Sequence, residues 1–283
     1  MTSRQRKGFT LIELLVVIAI IALLMSILMP ALRNVRNQAK DSMCRQRLQQ
    51  WGLLYSMYAD ENDGTLMDFT MINGIEYDHA WVILMKSYIG DWEICKCPAT
   101  VKTWVDGDNW MDPLVAWDFN VISDIVGSGY EQMFTINGQW AYGSYAKNTF
   151  VTNADIFAND TGLEEGHSWM YEYCYKNVRV KRVSQIPLFG DGNWMGGWPD
   201  PHVGPSETYY HGDEGVNIWN LDRHNLSVNM LFLDWSVRKV GLKQLWQLRW
   251  SKQDGWGNPF VVPDPLNPDD WPEWMRNSKN YDL

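Results

Sequence analysis

Residues 4–30 read RQRKGFTLIELLVVIAIIALLMSILMP: three basic residues, then an apolar run in which Glu13 is the single charge. From Leu11 to Met29 the other polar residue is Ser26. About 19 residues at ~1.5 Å each come close to crossing a ~30 Å hydrocarbon core, so the spacing predicts a transmembrane helix over 9–29. Arg4, Arg6 and Lys7 ahead of it orient the N-terminus to the cytoplasm and send everything past Pro30 outward, as a single-pass membrane protein. Glu13 then needs a reason. A carboxylate inside a bilayer costs roughly 2.5–3.5 kcal/mol even on the lenient insertion scale. A cleaved secretory signal is the plain alternative, but Pro30-Ala-Leu-Arg stands where a small-x-small cleavage site would follow the run.

The bulk composition bounds the rest. The chain has 283 residues, 46% of them apolar and 20% charged, which suits a chain that buries a real core. Net charge is −10, and removing the three early cations leaves 21 Lys and Arg against 34 Asp and Glu. No phosphate-binding footprint is present, which argues against nucleic acid as a partner. Seventeen Trp and 13 Tyr outnumber 9 Phe, a preference for rings that pack on one side and hydrogen-bond on the other.

Beyond Pro30, which is expected to bend or loosen the helix, an amphipathic continuation is predicted over 30–62. Cys44, Leu48, Trp51, Tyr55 and Tyr58 recur at steps of four and three, while Arg33, Arg36, Lys40, Arg45, Arg47 and Gln49 take the other face. The whole helix would reach about 75 Å. DENDG, Asp60 to Gly64, ends it as an acidic cap with a C-terminal glycine; a calcium loop would need a twelve-residue pattern with a closing Glu that is absent here.

A globular body is expected over 63–250, with a loop-rich insertion at about 103–170, and an acidic Pro/Trp-rich tail over 251–283. Ala80–Ile89 reads as a short helix and Glu93–Cys97 as a strand. Tyr142–Lys147 and Val178–Phe189 are strand-like, Asp191-Gly192 reads as a turn, and Leu242–Trp250 and Trp271–Met275 are helical. The clearest hairpin is VNMLFL, Asp234-Trp235, SVRKV. Cys95 and Cys97 are too close along the chain to bridge one another comfortably. In an oxidising compartment the pairings are Cys44–Cys97 with Cys95–Cys174, or Cys44–Cys95 with Cys97–Cys174. A thiolate zinc site using Cys95-x-Cys97 and a distant ligand is the rival, without the usual finger spacing.

Lys7-Gly8-Phe9-Thr10-Leu11-Ile12-Glu13 resembles the prepilin leader shared by type IV pilins and type II secretion pseudopilins. The resemblance implies a leader of residues 1–8, cleavage between Gly8 and Phe9 by prepilin peptidase, methylation of Phe9, and assembly on an inner-membrane platform. It also implies that Glu13 of one subunit faces the Phe9 ammonium of a neighbour, cancelling two charges that are costly alone. Snorkelling of Glu13 to the headgroups is the alternative. The segment RHNLSVNMLFLDWSVRKVG resembles a C-terminal His-x9-Asp-Gly signature of prepilin-like proteins, carried here by His224 and Asp234, with Trp235 in place of the glycine. The substitution questions a turn needing positive φ there and suggests that Trp235 packs on the body. The fold implied is α+β and pilin-like: a long N-terminal helix packed on an antiparallel sheet. The resemblance further allows calcium in a C-terminal loop, with Asp191, Asp234 or the tail carboxylates as ligands.

Other chemistry is thin. His224 with Asp234, or Asp191 with His202 or His211, form catalytic or metal pairs on paper, but a His satisfied by backbone carbonyls and an Asp in an Asx turn are the commoner outcome. No nucleophile elbow, P-loop, His-Glu-x-x-His or dinucleotide fingerprint is present, so no enzyme is expected. The reading is a structural filament subunit whose partners are copies of itself or related subunits. A membrane-tethered glycan-binding or adhesive protein, using rings between Trp104 and Trp198, is the alternative, and a secreted hydrolase a distant third.

Overall fold

The computed structural model describes residues 11–67, 71–72, 75–76, 80–103, 114–118, 135–153, 172–200, 203–207, 215–252 and 267–281. The chain divides into two compact units between Lys40 and Asp41. Helix α1, Leu11–Glu61, crosses that boundary and passes through Pro30 as helix. Pro30 lacks the N–H that would bond the Ser26 carbonyl, which is the local loosening a proline imposes.

In the first unit, every residue from 11 to 39 is exposed in the isolated chain. The helix is long and apolar enough here to cross a membrane.

In the second unit, α1 buries Cys44, Leu48, Trp51 and Tyr55 of the stripe read from the four-and-three spacing, with Gly52 and Ala59 beside them, and Tyr58 packs at its edge. The helix ends as DENDG suggests. Gly64 N donates to the Ala59 carbonyl at 2.7 Å, Asn62 N to Tyr58 at 3.1 Å, and Gly64 takes φ +81°, which a residue with a Cβ adopts at a cost.

Short strands follow: β1 (Met71–Ile72) with β2 (Ile75–Glu76), then β3 (Lys102–Thr103), β4 (Val115–Asp118), β5 (Thr135–Ile136), β6 (Gln139–Trp140) and β7 (Tyr142–Gly143). The main sheet contains β8 (Tyr145–Asn148), β9 (Pro187–Asp191), β10 (Gly196–Gly197), β11 (Ser227–Phe232) and β12 (Val237–Gly241) in the order β10-β8-β9-β11-β12. Its pairs are antiparallel except β8 with β10. The fold is α+β and pilin-like, a long helix followed by mostly antiparallel sheets with loop-rich connections.

Alternation along β11 sends its apolar residues to both faces of the sheet. Val228, Met230 and Phe232 enter one apolar cluster with Trp219, Trp246, Trp250 and Trp271, while Leu231 enters the other with Trp51, Trp81 and Phe189. Both faces are covered and every residue of β11 is buried, polar Ser227 and Asn229 included, so the run Met230–Phe232 carries no period two. Gly52 lets the helix approach the sheet closely, since a Cβ there would stand 3.0 Å from Leu231 Cδ1. Trp51, Trp81 and Phe189 meet with ring centroids 4.8–5.3 Å apart. Their aromatic area supports the loops as well as the core. Trp51 Nε1 donates to Ile94 O at 3.0 Å, Trp81 Nε1 to Met195 O at 2.7 Å, and Trp246 Nε1 to Val203 O at 2.9 Å.

Several local expectations change. Trp92–Cys95 is a 3-10 turn, not a strand: Asp91 caps it by accepting from Glu93 N at 3.0 Å. The strand predicted over 178–189 starts only at Pro187, after a 3-10 turn at Val183–Gln185, and Asp191 is its last residue, not a turn residue. The helical readings at 242–250 and 271–275 are 3-10, Leu242–Gln247 and Glu273–Met275. The 226–240 hairpin forms in register, Val228 opposite Val240 and Leu231 opposite Val237.

Candidate functional site

Two places carry the residues singled out from sequence. The first is the N-terminal segment. Gly8 and Phe9 lie outside the described residues, and Glu13 stands in the first turn of α1. The side chains that follow, up to Pro30, present an apolar surface interrupted by Ser26: Ile18, Leu24 and Leu28 are each more than half exposed in the single chain. Such a surface is stable only against lipid or other apolar helices.

The second place lies inside the globular unit, where four segments converge. Cys44 comes from the buried stripe of α1. Cys97 follows the 3-10 turn; that segment is held to the helix by Trp51 on Ile94 and by Arg47, which donates to the Lys96 carbonyl and pairs with Glu93 at 3.2 Å. Cys97 N also donates to Ser144 Oγ at 2.6 Å. Asp191 ends β9, where Asn229 N of the neighbouring β11 donates to its Oδ2 at 2.9 Å. His224 precedes a tight turn in which Asn225 and Leu226 take φ +64° and +56°, and its own N–H donates to Ser227 O at 3.2 Å. Ligand atoms of Cys44, Cys97, Asp191 and His224 all lie within 4.8 Å of one another, and all four residues are buried.

The individual distances are short. His224 Nε2 is 3.2 Å from Cys97 Sγ and 3.2 Å from Asp191 Oδ2. Cys44 Sγ is 3.6 Å from each Asp191 oxygen, and Tyr145 OH donates to Cys44 Sγ at 3.4 Å. On the other side of the ring, His224 Nδ1 is 3.4 Å from Asp41 Oδ1. Arg223, its side chain fully buried, sits 3.6 Å from Asp191 and donates to the carbonyls of Ser144 and Gly192.

Electrostatics follow from the packing. Burial alone pushes the Asp191 carboxyl up, but His224 and Arg223 with the Asn229 N–H bring it down to about 2. Burial lowers His224, yet the Asp191 carboxylate and Cys97 outweigh it and raise the ring to about 10. Burial raises the Cys97 thiol, and contacts with Cys44 and His224 reverse this to about 7. Cys44 goes well above the usual thiol value through burial and its two neighbours. Cys95 is raised by burial, and Cys174 by burial to about 12.

This arrangement revises the sequence readings. All four cysteines are free thiols; of the candidate partners, Cys44 and Cys97 come together. Cys95 does not join Cys97 in a Cys-x-Cys ligand pair, because the 3-10 turn ends between them. His224 is held by side chains, not backbone carbonyls, and its partner is Asp191, not Asp234. Asp191 faces sulfur, imidazole and guanidinium, a poor setting for calcium, which takes six to eight oxygens. Asp234 instead makes the expected Asx turn, accepting from Ser236 N at 3.0 Å and Ser236 Oγ at 2.6 Å. Trp235 does pack on the body, and yet takes φ +66°, so the positive φ of the turn survives without its glycine. His202 and His211 lie outside the described residues.

Trp117 is buried, Trp140, Trp194 and Trp198 are half-buried, and Trp104, Trp110 and Trp169 lie outside the described residues. A shallow depression of about 460 Å³ is lined by Trp140, Tyr142, Gln139, Glu93, Asp118 and Lys96, among others.

Comparison with known proteins bears on the first place. Residues 3–29 match the prokaryotic N-terminal methylation motif, so the chain carries a prepilin-type N-terminus. The chain is similar to the type IV wide pilus major component PilA4 of Thermus thermophilus, 45% identical over 60 residues. That match covers 21% of this chain and 46% of the relative, less than half its length. No solved structure matches.

Proposed function

We propose that this chain is a structural subunit of a type IV pilus-like or type II secretion-like filament, processed at Gly8/Phe9 and assembled through its N-terminal helix. The observation that carries the reading is the match of residues 3–29 to the methylation motif at the head of a helix whose apolar first part is exposed in the single chain. Its partners are then copies of itself or related subunits, prepilin peptidase and an inner-membrane platform. The body lies in the periplasm or on a surface filament.

Cleavage leaves an N-methylated ammonium on Phe9, four residues from Glu13. Within one helix these groups sit a turn apart. In a stack, the Glu13 carboxylate of an incoming subunit meets the Phe9 ammonium of its neighbour, and pairing removes the cost of a charge in hydrocarbon. The apolar residues drive helix into helix without choosing a register; one charge pair chooses it. Quantifying this subunit in filaments sheared from cells tests the reading. Glu13→Ala should remain membrane-inserted with a folded body and fail to incorporate, and normal incorporation would overturn the reading.

A second reading, a membrane-tethered glycan-binding module, draws on the depression lined by Trp140, Tyr142, Glu93 and Asp118, where a ring and paired acceptors could meet a sugar. Its check is glycan-array binding that Trp140→Ala removes while Glu13→Ala does not.

A further inference from the structure

The geometry points to a structural metal site of the zinc class, with Cys44 Sγ, Cys97 Sγ, Asp191 Oδ2 and His224 Nε2 as its four ligands. For a tetrahedral ion with zinc-like bond lengths, sulfur–nitrogen, nitrogen–oxygen and sulfur–oxygen edges come to about 3.4–3.6 Å. The corresponding separations are 3.2 Å for Cys97–His224, 3.2 Å for His224–Asp191 and 3.6 Å for Cys44–Asp191. Two thiolates and an imidazole select a borderline-soft ion over calcium or magnesium.

The surroundings are those of a metal centre. The ring nitrogen that does not face the cluster, Nδ1, points to Asp41, as in carboxylate–histidine–metal triads. Ala99 N donates to Cys97 Sγ at 3.4 Å, and Tyr145 OH to Cys44 Sγ at 3.4 Å, so both sulfurs have hydrogen-bond donors that favour thiolate. Charge also closes. A divalent ion with two thiolates and one carboxylate carries −1, and the buried Arg223 guanidinium beside Asp191 carries +1. Loading releases the protons of Cys44, Cys97 and His224 Nε2 to solvent; the Nδ1 proton stays toward Asp41. Four protein ligands leave no open position, which makes the site structural and not catalytic.

Its role follows from where the ligands come from. One ion would join α1, the segment after the 3-10 turn, the end of β9 and the residue before the β11 hairpin, elements from position 44 to position 224. A Cys44–Cys97 disulfide is the competing use of the two sulfurs, but it gives no reason for imidazole and carboxylate to converge on the same point.

The test uses the full chain in detergent, desalted after a mild chelator wash. Elemental analysis should find one zinc per chain, lost in Cys44→Ser and Cys97→Ser and kept in Cys95→Ser and Cys174→Ser. Because the first two variants could misfold, wild-type protein stripped by a strong chelator is titrated with cobalt(II) under reducing conditions. One equivalent should give the sulfur charge-transfer and d–d bands of a tetrahedral thiolate site, and one equivalent of zinc should remove them. Absence of both bound zinc and the cobalt spectrum would overturn the proposal. So would a Cys44–Cys97 disulfide in protein taken directly from cells, or retention of stoichiometric metal by the Cys44→Ser/Cys97→Ser double variant.

Discussion

The two parts of α1 share one backbone and obey different rules. Residues 11–39 bury nothing in the single chain, and their composition answers to what surrounds the molecule. Residues 41–61 bury a stripe at helical spacing, and their composition answers to the sheet beneath. An environment without water writes itself as composition, whereas a folded core writes itself as periodicity. Substitutions in the first part should therefore change assembly and leave the stability of the body alone, and substitutions in the second should do the reverse.

The largest expected effect is on assembly. Glu13→Ala should lower incorporation into sheared filaments on the order of a hundredfold, the equivalent of a lost charge pair in hydrocarbon, with an unchanged denaturation midpoint for the body. Next is Trp51→Ala, which empties the centre of the ring cluster with Trp81 and Phe189 and should cost about 3–5 kcal/mol by tryptophan-monitored denaturation. A loss below about 1 kcal/mol would mean that the helix does not depend on this contact. Asn148→Ala should follow. Fully buried Asn148 Nδ2 donates to Pro187 O at 2.8 Å and Trp250 O at 2.9 Å, and its Oδ1 accepts from Phe150 N at 3.1 Å. Deleting it strands three backbone groups and should cost about 2–4 kcal/mol.

Two smaller effects sharpen the contrast. Trp235→Gly relieves a positive φ of order 1 kcal/mol while giving up part of the ring's packing, so stability should move by less than about 1 kcal/mol. Leu28→Ala in the exposed segment should leave the body's stability within about 0.5 kcal/mol, and a larger shift would end the separation of the two rules.

Legibility in the sequence followed the same divide. The long apolar N-terminal helix, the 44–48–51–55 stripe, the glycine cap at Gly64 and the 226–240 hairpin were readable because each rests on local spacing or turn chemistry. The 3-10 turn at Trp92–Cys95 was not, because period two and period three cannot be told apart over four residues. Nor was the union of Cys44, Cys97, Asp191 and His224, four residues that only strand pairing and helix docking bring together. The pairing of Asp191 with Asn229 N across β9 and β11 aims the carboxylate, and that register appears in no short motif. The tryptophans divide likewise. Their abundance was plain, but their use in holding loop carbonyls, as in Trp51 to Ile94 and Trp81 to Met195, needed the fold.

Mass spectrometry of the N-terminal peptide, from sheared surface material and from the membrane fraction, decides whether the chain is a processed filament subunit. A processed filament subunit gives a chain beginning at N-methylated Phe9 and enriched in filaments. A chain still carrying residues 1–8 in material that is otherwise assembled or mature would contradict it.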